Sequence, residues 1–169
     1  MKSREDLLQE VYDLASKYEA ERGSCPQCVL SAIMEVLEVG DPATVKATDA
    51  LAGGTALSAQ GTCGALVGGL LAISSVVGRS YEDFSTGKGN RRVFLYSKKL
   101  YDKFVEEYGS PICKDIHMKL FGRTFDLIDK EDYTEFEKMG AHVDKCPVVS
   151  GKTAQWATEI LINDLKILK

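Results

Sequence analysis

The sequence has no apolar run long enough to cross a bilayer. Its longest, around residues 65 to 77, falls short of the roughly 20 residues that a spanning helix needs. The opening stretch MKSREDLLQE is charged from its start and holds no apolar signal core. A cytoplasmic location and no membrane partner are therefore expected. Basic residues are not in excess: 21 Lys and Arg stand against 25 Asp and Glu, for a net charge of −4 and a pI of about 5.3. The densest basic clusters, Arg91-Arg92 and Lys98-Lys99, fall on a segment that reads as an amphipathic helix. That leaves no footprint for nucleic acid or an anionic membrane.

Other absences narrow the chemistry. No segment alternates with period two, which argues against a sheet. Internal repeats, low-complexity tracts and interdomain linkers are missing too, so residues 1 to 169 are expected to form one domain. No Ser/His/Asp order points to a hydrolase, and Asp49, Glu82, Asp83, Glu106 and Glu107 form no recognisable acid/base pair. The stretch GKGNRR (87 to 92) is not a phosphate-binding Walker loop and reads as a solvated loop. The paired CxxC knuckles of common zinc sites are also lacking.

What remains is helical periodicity. Leu7, Leu8, Val11, Leu14, Ala15 and Tyr18 recur at helical spacing over residues 3 to 22, and Gly23 stops that helix. A second helix is expected from about Pro26 to Val39. A short one should start at Asp41-Pro42, and an apolar one after Thr62. Residues 80 to 90 read as a surface loop. Further helices are expected over 91 to 108, 111 to 121 and, after one or two fragments, up to about Leu165. His117 is expected on the exposed side of its helix, and Trp156 as a packing anchor. The fold class is all-α, a compact bundle of six to eight helices.

Five cysteines stand out: Cys25, Cys28, Cys63, Cys113 and Cys146. An odd number in a reducing compartment argues against a structural disulfide framework. Four of them fall at expected helix starts. Cys25 lies between Ser24 and Pro26, Cys63 follows Thr62 as a cap, Cys113 follows Ser110-Pro111, and Cys146 precedes Pro147. A helix start offers unpaired N–H groups and the positive end of the macrodipole, which favour a thiolate. Four such starts, 38, 50 and 33 residues apart, suggest convergence on an anionic centre such as a thiolate-ligated iron–sulfur cluster. Gly61, Gly64 and Gly68 crowd around Cys63. They would either leave room for a cofactor beside the backbone or let two helices pack closely.

The same cysteine set resembles a family of redox-active proteins named for the pattern C, GCAxxG, C, C, over about residues 20 to 162. SCPQCVLSAI looks like its first segment, with Cys25 in register and Cys28 an extra. GTCGALVGG is similar to its central motif, although the order here is Cys-Gly-Ala rather than Gly-Cys-Ala. EEYGSPICKDI and KCPVVSGKTAQWATEIL resemble the third and fourth segments. The resemblance implies an all-helical redox protein with no particular reaction. A similar four-cysteine region occurs in split-Soret cytochromes, which are associated with an iron–sulfur centre and haem. Val29 follows Cys28 where c-type haem attachment needs histidine, so no haem is expected.

The leading expectation is an electron-transfer protein with Cys25, Cys63, Cys113 and Cys146 ligating a cluster, [2Fe–2S] before [4Fe–4S], and Cys28 spare or exchangeable. Its partner would be another redox protein, and a homodimer is compatible. The alternatives are a dithiol protein using Cys25 and Cys28, and a structural zinc protein. His142, four residues before Cys146, reads as a loop side chain that could join a metal site.

Overall fold

The computed structural model describes residues 2 to 167. Its first helix, α1 (Arg4–Arg22), begins at a capping box: Ser3 Oγ accepts the Asp6 N–H, and Asp6 accepts the Ser3 N–H. Its inner stripe is Leu7, Val11, Ala15 and Glu19, spaced by four. A reversal at Gly23 leads into α2 (Cys25–Leu37), which buries Val29, Leu30, Ile33 and Val36. The short α3 (Pro42–Ala47) is capped by the Asp41 carboxylate, which accepts the Thr44 N–H. A 3₁₀ turn follows at Asp49–Leu51.

The centre of the bundle is α4 (Gly64–Val77), a helix without one charged residue. It packs against α2 on one side and against α6 (Arg92–Tyr108) and α9 (Cys146–Asn163) on the others. Such closeness requires small residues on more than one face. A Cβ on Gly68 would lie 2.6 Å from the Pro26 carbonyl oxygen, and one on Gly69 would lie 2.7 Å from Leu100 Cδ2. Helix α9 also lies along α1, the most extensive pairing in the molecule. Leu30, Ile33, Leu66, Ile73, Leu100, Phe104 and Leu161 are fully buried where these five helices meet. Each such side chain contributes about 1.5–3 kcal/mol. Tyr108 stacks against Phe104 at 4.7 Å and reaches Trp156 at 6.3 Å between ring centroids, so Trp156 packs on the core from its edge.

A second, smaller core covers one end of the bundle. It consists of Phe125, Leu127, Phe136 and Ala141, with Phe121, Leu57 and Met139 packed against it. It is carried by α7 (Cys113–Phe121), α8 (Lys130–Lys138) and a π-helical turn at Ala141–Lys145 that runs into α9. With the one-turn α5 (Tyr81–Ser85), the described residues form nine α-helices and no strand. The fold is all-α, as the periodicity predicts. The ninth helix is α5, which falls in the stretch that reads as a loop. Ser80 caps it by accepting the Asp83 N–H, and it buries nothing. Among the described residues no helix is long and apolar enough to cross a membrane.

Candidate redox centre

Four helices begin on a cysteine. Cys25, Cys113 and Cys146 are the first residues of α2, α7 and α9, and Cys63 is itself the N-cap of α4. The caps differ from those the sequence suggests. Thr62 precedes the cap and pairs with Ile112 as an isolated antiparallel bridge. Ser110 lies outside α7, accepting the Ile112 N–H and donating to Asp115. The bridge matters more than either cap would. Cys63 N–H donates to the Pro111 carbonyl at 2.8 Å, and Cys113 N–H to the Gly61 carbonyl at 2.9 Å. Two cysteines 50 residues apart in sequence are thereby tied together by backbone.

All four line one cavity of about 540 Å³ at the junction of the two cores. Its far wall is apolar, built from Leu57, Leu127, Ile128 and Phe136. Glu19, Ser150, His117, His142 and Tyr133 add polar groups, and Arg22 and Lys130 add cations. Cys28 is not part of the lining. Its Sγ donates instead to the Gly23 carbonyl at 2.8 Å. Among the described residues, no three or more Cys, His, Asp or Glu side chains are grouped so as to hold one metal ion.

The three glycines around Cys63 do not line the cavity either, but each governs a close approach. A Cβ on Gly64 would come within 2.8 Å of Cys25 Sγ, so this glycine leaves space for a neighbouring thiol. A Cβ on Gly61 would meet the Gly54 carbonyl at 2.6 Å, and Gly68 brings α4 against α2.

The thiols are not the depressed thiolates that helix starts suggest. Burial pushes Cys63 up to about 11, while the first-turn N–H groups of Ala65 and Leu66 pull the other way. Burial, then the Glu19 charge, raises Cys25 and Cys146 well above the ordinary thiol range. Burial also raises Cys113, with the Cys63 charge adding to it, and burial and Glu19 raise Cys28. At Cys63, where first-turn N–H groups oppose it, desolvation outweighs them.

Three features of the site are missed in the sequence. Glu19 is buried, with Ser150 Oγ donating to it at 3.2 Å and His142 Nε2 at 3.7 Å from its other oxygen. His142 Nδ1 in turn lies 2.5 Å from Glu137. Burial holds the Glu19 carboxyl above its ordinary range, against the pull of His142. The available signal is that Glu19 occupies the next place on the Leu7, Val11, Ala15 stripe, where an apolar residue belongs. His117 is the second feature. It is not exposed but 3% accessible, with Nε2 3.5 Å from Cys113 Sγ. The third is a left-handed stretch in which Gly53, Gly54, Thr55, Ala56 and Leu57 all have positive φ. For the three residues with side chains this costs on the order of 1–2 kcal/mol each. It persists because Ala59 N–H bonds the Gly53 carbonyl and Gly61 N–H the Gly54 carbonyl. A Cβ on Gly54 would lie 2.6 Å from Cys113 Cβ, so the strained turn is pressed against the cysteines.

A family model described as "Putative redox-active protein (C_GCAxxG_C_C)" matches residues 23–160. The chain belongs to this family. The matched span contains all five cysteines and, apart from Glu19 and Arg22, every residue named above as lining the cavity. No curated protein and no solved structure matches the chain.

Proposed function

We propose that this family member is an electron-transfer protein whose cavity holds an iron–sulfur cluster on Cys25, Cys63, Cys113 and Cys146. The observation that carries this reading is that four cysteines on four helix starts line one cavity. The donor set suits such a group. Four thiolates match either common cluster, first-turn N–H groups favour anionic sulfur, and about 540 Å³ leaves room for an inorganic core. A bound cluster would supply one-electron storage. The chain's own residues would ligate it, exclude bulk water through the Leu127 and Phe136 wall, and tune it through N–H groups and burial. A [2Fe–2S] core is the preferred occupant. In this reading Gly64 keeps Cys25 Sγ beside Cys63, and Gly61 and Gly68 hold the surrounding backbone close. The partner is another redox protein, and the compartment is the reducing cytoplasm, which free cysteines suit.

Cys28 is spare. Its sulfur is turned to the Gly23 carbonyl and its thiol is raised, which is the wrong chemistry for a dithiol with Cys25. The test is an anaerobic preparation assayed for iron, acid-labile sulfide and visible absorption. Wild type and Cys28→Ser should carry both elements. Cys25→Ser, Cys63→Ser, Cys113→Ser and Cys146→Ser should each lose most of them. A fully loaded protein with zinc alone, or with no metal, overturns the proposal.

A further inference from the structure

We propose that the centre takes a nitrogen ligand as well as sulfur: His117 Nε2 binds the same metal atom as Cys113 Sγ. This rests on reading the cavity as a metal centre. The two residues are four apart on α7, hence on one helix face, and both line the cavity. Their donor atoms are 3.5 Å apart. A metal–sulfur bond of about 2.3 Å and a metal–nitrogen bond of about 2.0–2.1 Å, meeting at a tetrahedral angle, place the two donors roughly 3.5 Å from each other. The pair already has the bite that one ion requires.

The two nitrogens of the ring have different surroundings. His117 Nδ1 is buried and has no hydrogen-bond partner. The ring sits among Phe121, Phe125 and Phe136, at centroid distances of 5.9, 5.6 and 5.2 Å. An N–H directed at aromatic rings gains a weak interaction there, and a bare lone pair gains none. In the tautomer with its proton on Nδ1, the Nε2 lone pair faces Cys113 Sγ. Two donors do not complete a site. Cys25, Cys63 and Cys146 line the same cavity and supply the other donors of the centre.

The probe is Co²⁺ added to the reduced, metal-free chain under anaerobic conditions, followed by visible absorption and proton NMR. The chain has only two histidines, His117 and His142, so assignment needs two variants. Wild type and His142→Gln should show thiolate-to-cobalt charge transfer together with one strongly shifted, slowly exchanging imidazole N–H signal, from Nδ1. In His117→Phe, which keeps the aromatic box filled, that signal should vanish and Co²⁺ should bind at least about tenfold more weakly. Should His117→Phe fail to fold, the shifted N–H in wild type and its survival in His142→Gln still decide. Charge transfer without a shifted imidazole, a signal that follows His142, or no Co²⁺ binding would overturn the inference. The iron and sulfide assay judges the cluster reading separately: an all-thiolate cluster there, with no imidazole signal here, would sink only the role of His117.

Discussion

A helix start and burial act on a thiol in opposite directions. The first stabilises the thiolate by a fraction of a kcal/mol up to about 2 kcal/mol. The second disfavours it by as much as several pKa units. Cys63 is the clearest balance, because Ala65 and Leu66 N–H groups favour its anion and burial still leaves it at about 11. The folded, metal-free chain should therefore resist iodoacetamide at neutral pH. The rate at Cys63 should keep rising with pH through the ordinary thiol range near about 8.5 without levelling off there. Unfolded chain should react as free cysteine does. The sign for metal follows: each thiol would have to lose a proton to ligate, so uptake would release protons and strengthen as pH rises. Peptide mass analysis of alkylated cysteines across a pH series reads this directly. A plateau near neutral pH would mean that the dipole wins after all. The cysteine positions themselves are legible in the sequence, since Pro26 and Pro147 mark helix starts from local chemistry alone. The thiol state is not, because desolvation depends on Phe136, Leu127 and Glu19, which only the fold brings in.

Among the elements, α4 shows best what periodicity conveys and what it leaves out. Its apolar run predicts a buried helix, and the structure has one, but the run does not say which neighbour each glycine admits. Gly68 faces the backbone of α2, where the Pro26 carbonyl cannot yield as a flexible side chain would. Gly68→Ala should gain up to about 1 kcal/mol of helix propensity and lose about 1–3 kcal/mol to overpacking. The expected result is a net loss of stability, read as a lower urea midpoint at unchanged slope. Gly89→Ala, with nothing near its added methyl group, should shift the midpoint little. An unchanged midpoint in Gly68→Ala would mean that α2 and α4 have slack between them. The left-handed stretch from Gly53 to Leu57 marks the opposite limit of sequence reading. Gly53-Gly54 announces a turn, but nothing in Thr55, Ala56 and Leu57 announces positive φ. Hydrogen bonds to the Gly53 and Gly54 carbonyls and the tie between Cys63 and Cys113 impose it from outside the segment.

At the scale of the molecule, the centre lies between two cores of unequal size. The larger is the five-helix bundle around α4. The smaller, built on Phe125, Leu127, Phe136 and Ala141, forms the far side of the cavity. Few buried apolar residues hold that smaller unit, so its local opening should require less free energy than global unfolding. Cys25, Cys63 and Cys146 stand at the starts of the bundle helices α2, α4 and α9, Cys146 also packs against the small core, and Cys113 begins α7. A group bound to all four would clamp the small core onto the large one, because it binds only the closed arrangement. Stripping the metal from a loaded preparation should therefore speed amide hydrogen exchange in α7 and α8 far more than in α1, α4 and α9. It should also lower the melting temperature of the whole chain. Exchange measured by mass spectrometry on loaded and stripped samples separates the outcomes. A uniform change would mean that the two cores open as one unit, and no change would mean that the group is not held across the junction. The predicted asymmetry follows from where the thiols sit: Cys25 and Cys63 at the starts of α2 and α4, Cys146 where the π-helical turn hands over to the bundle helix α9, and Cys113 at the start of α7.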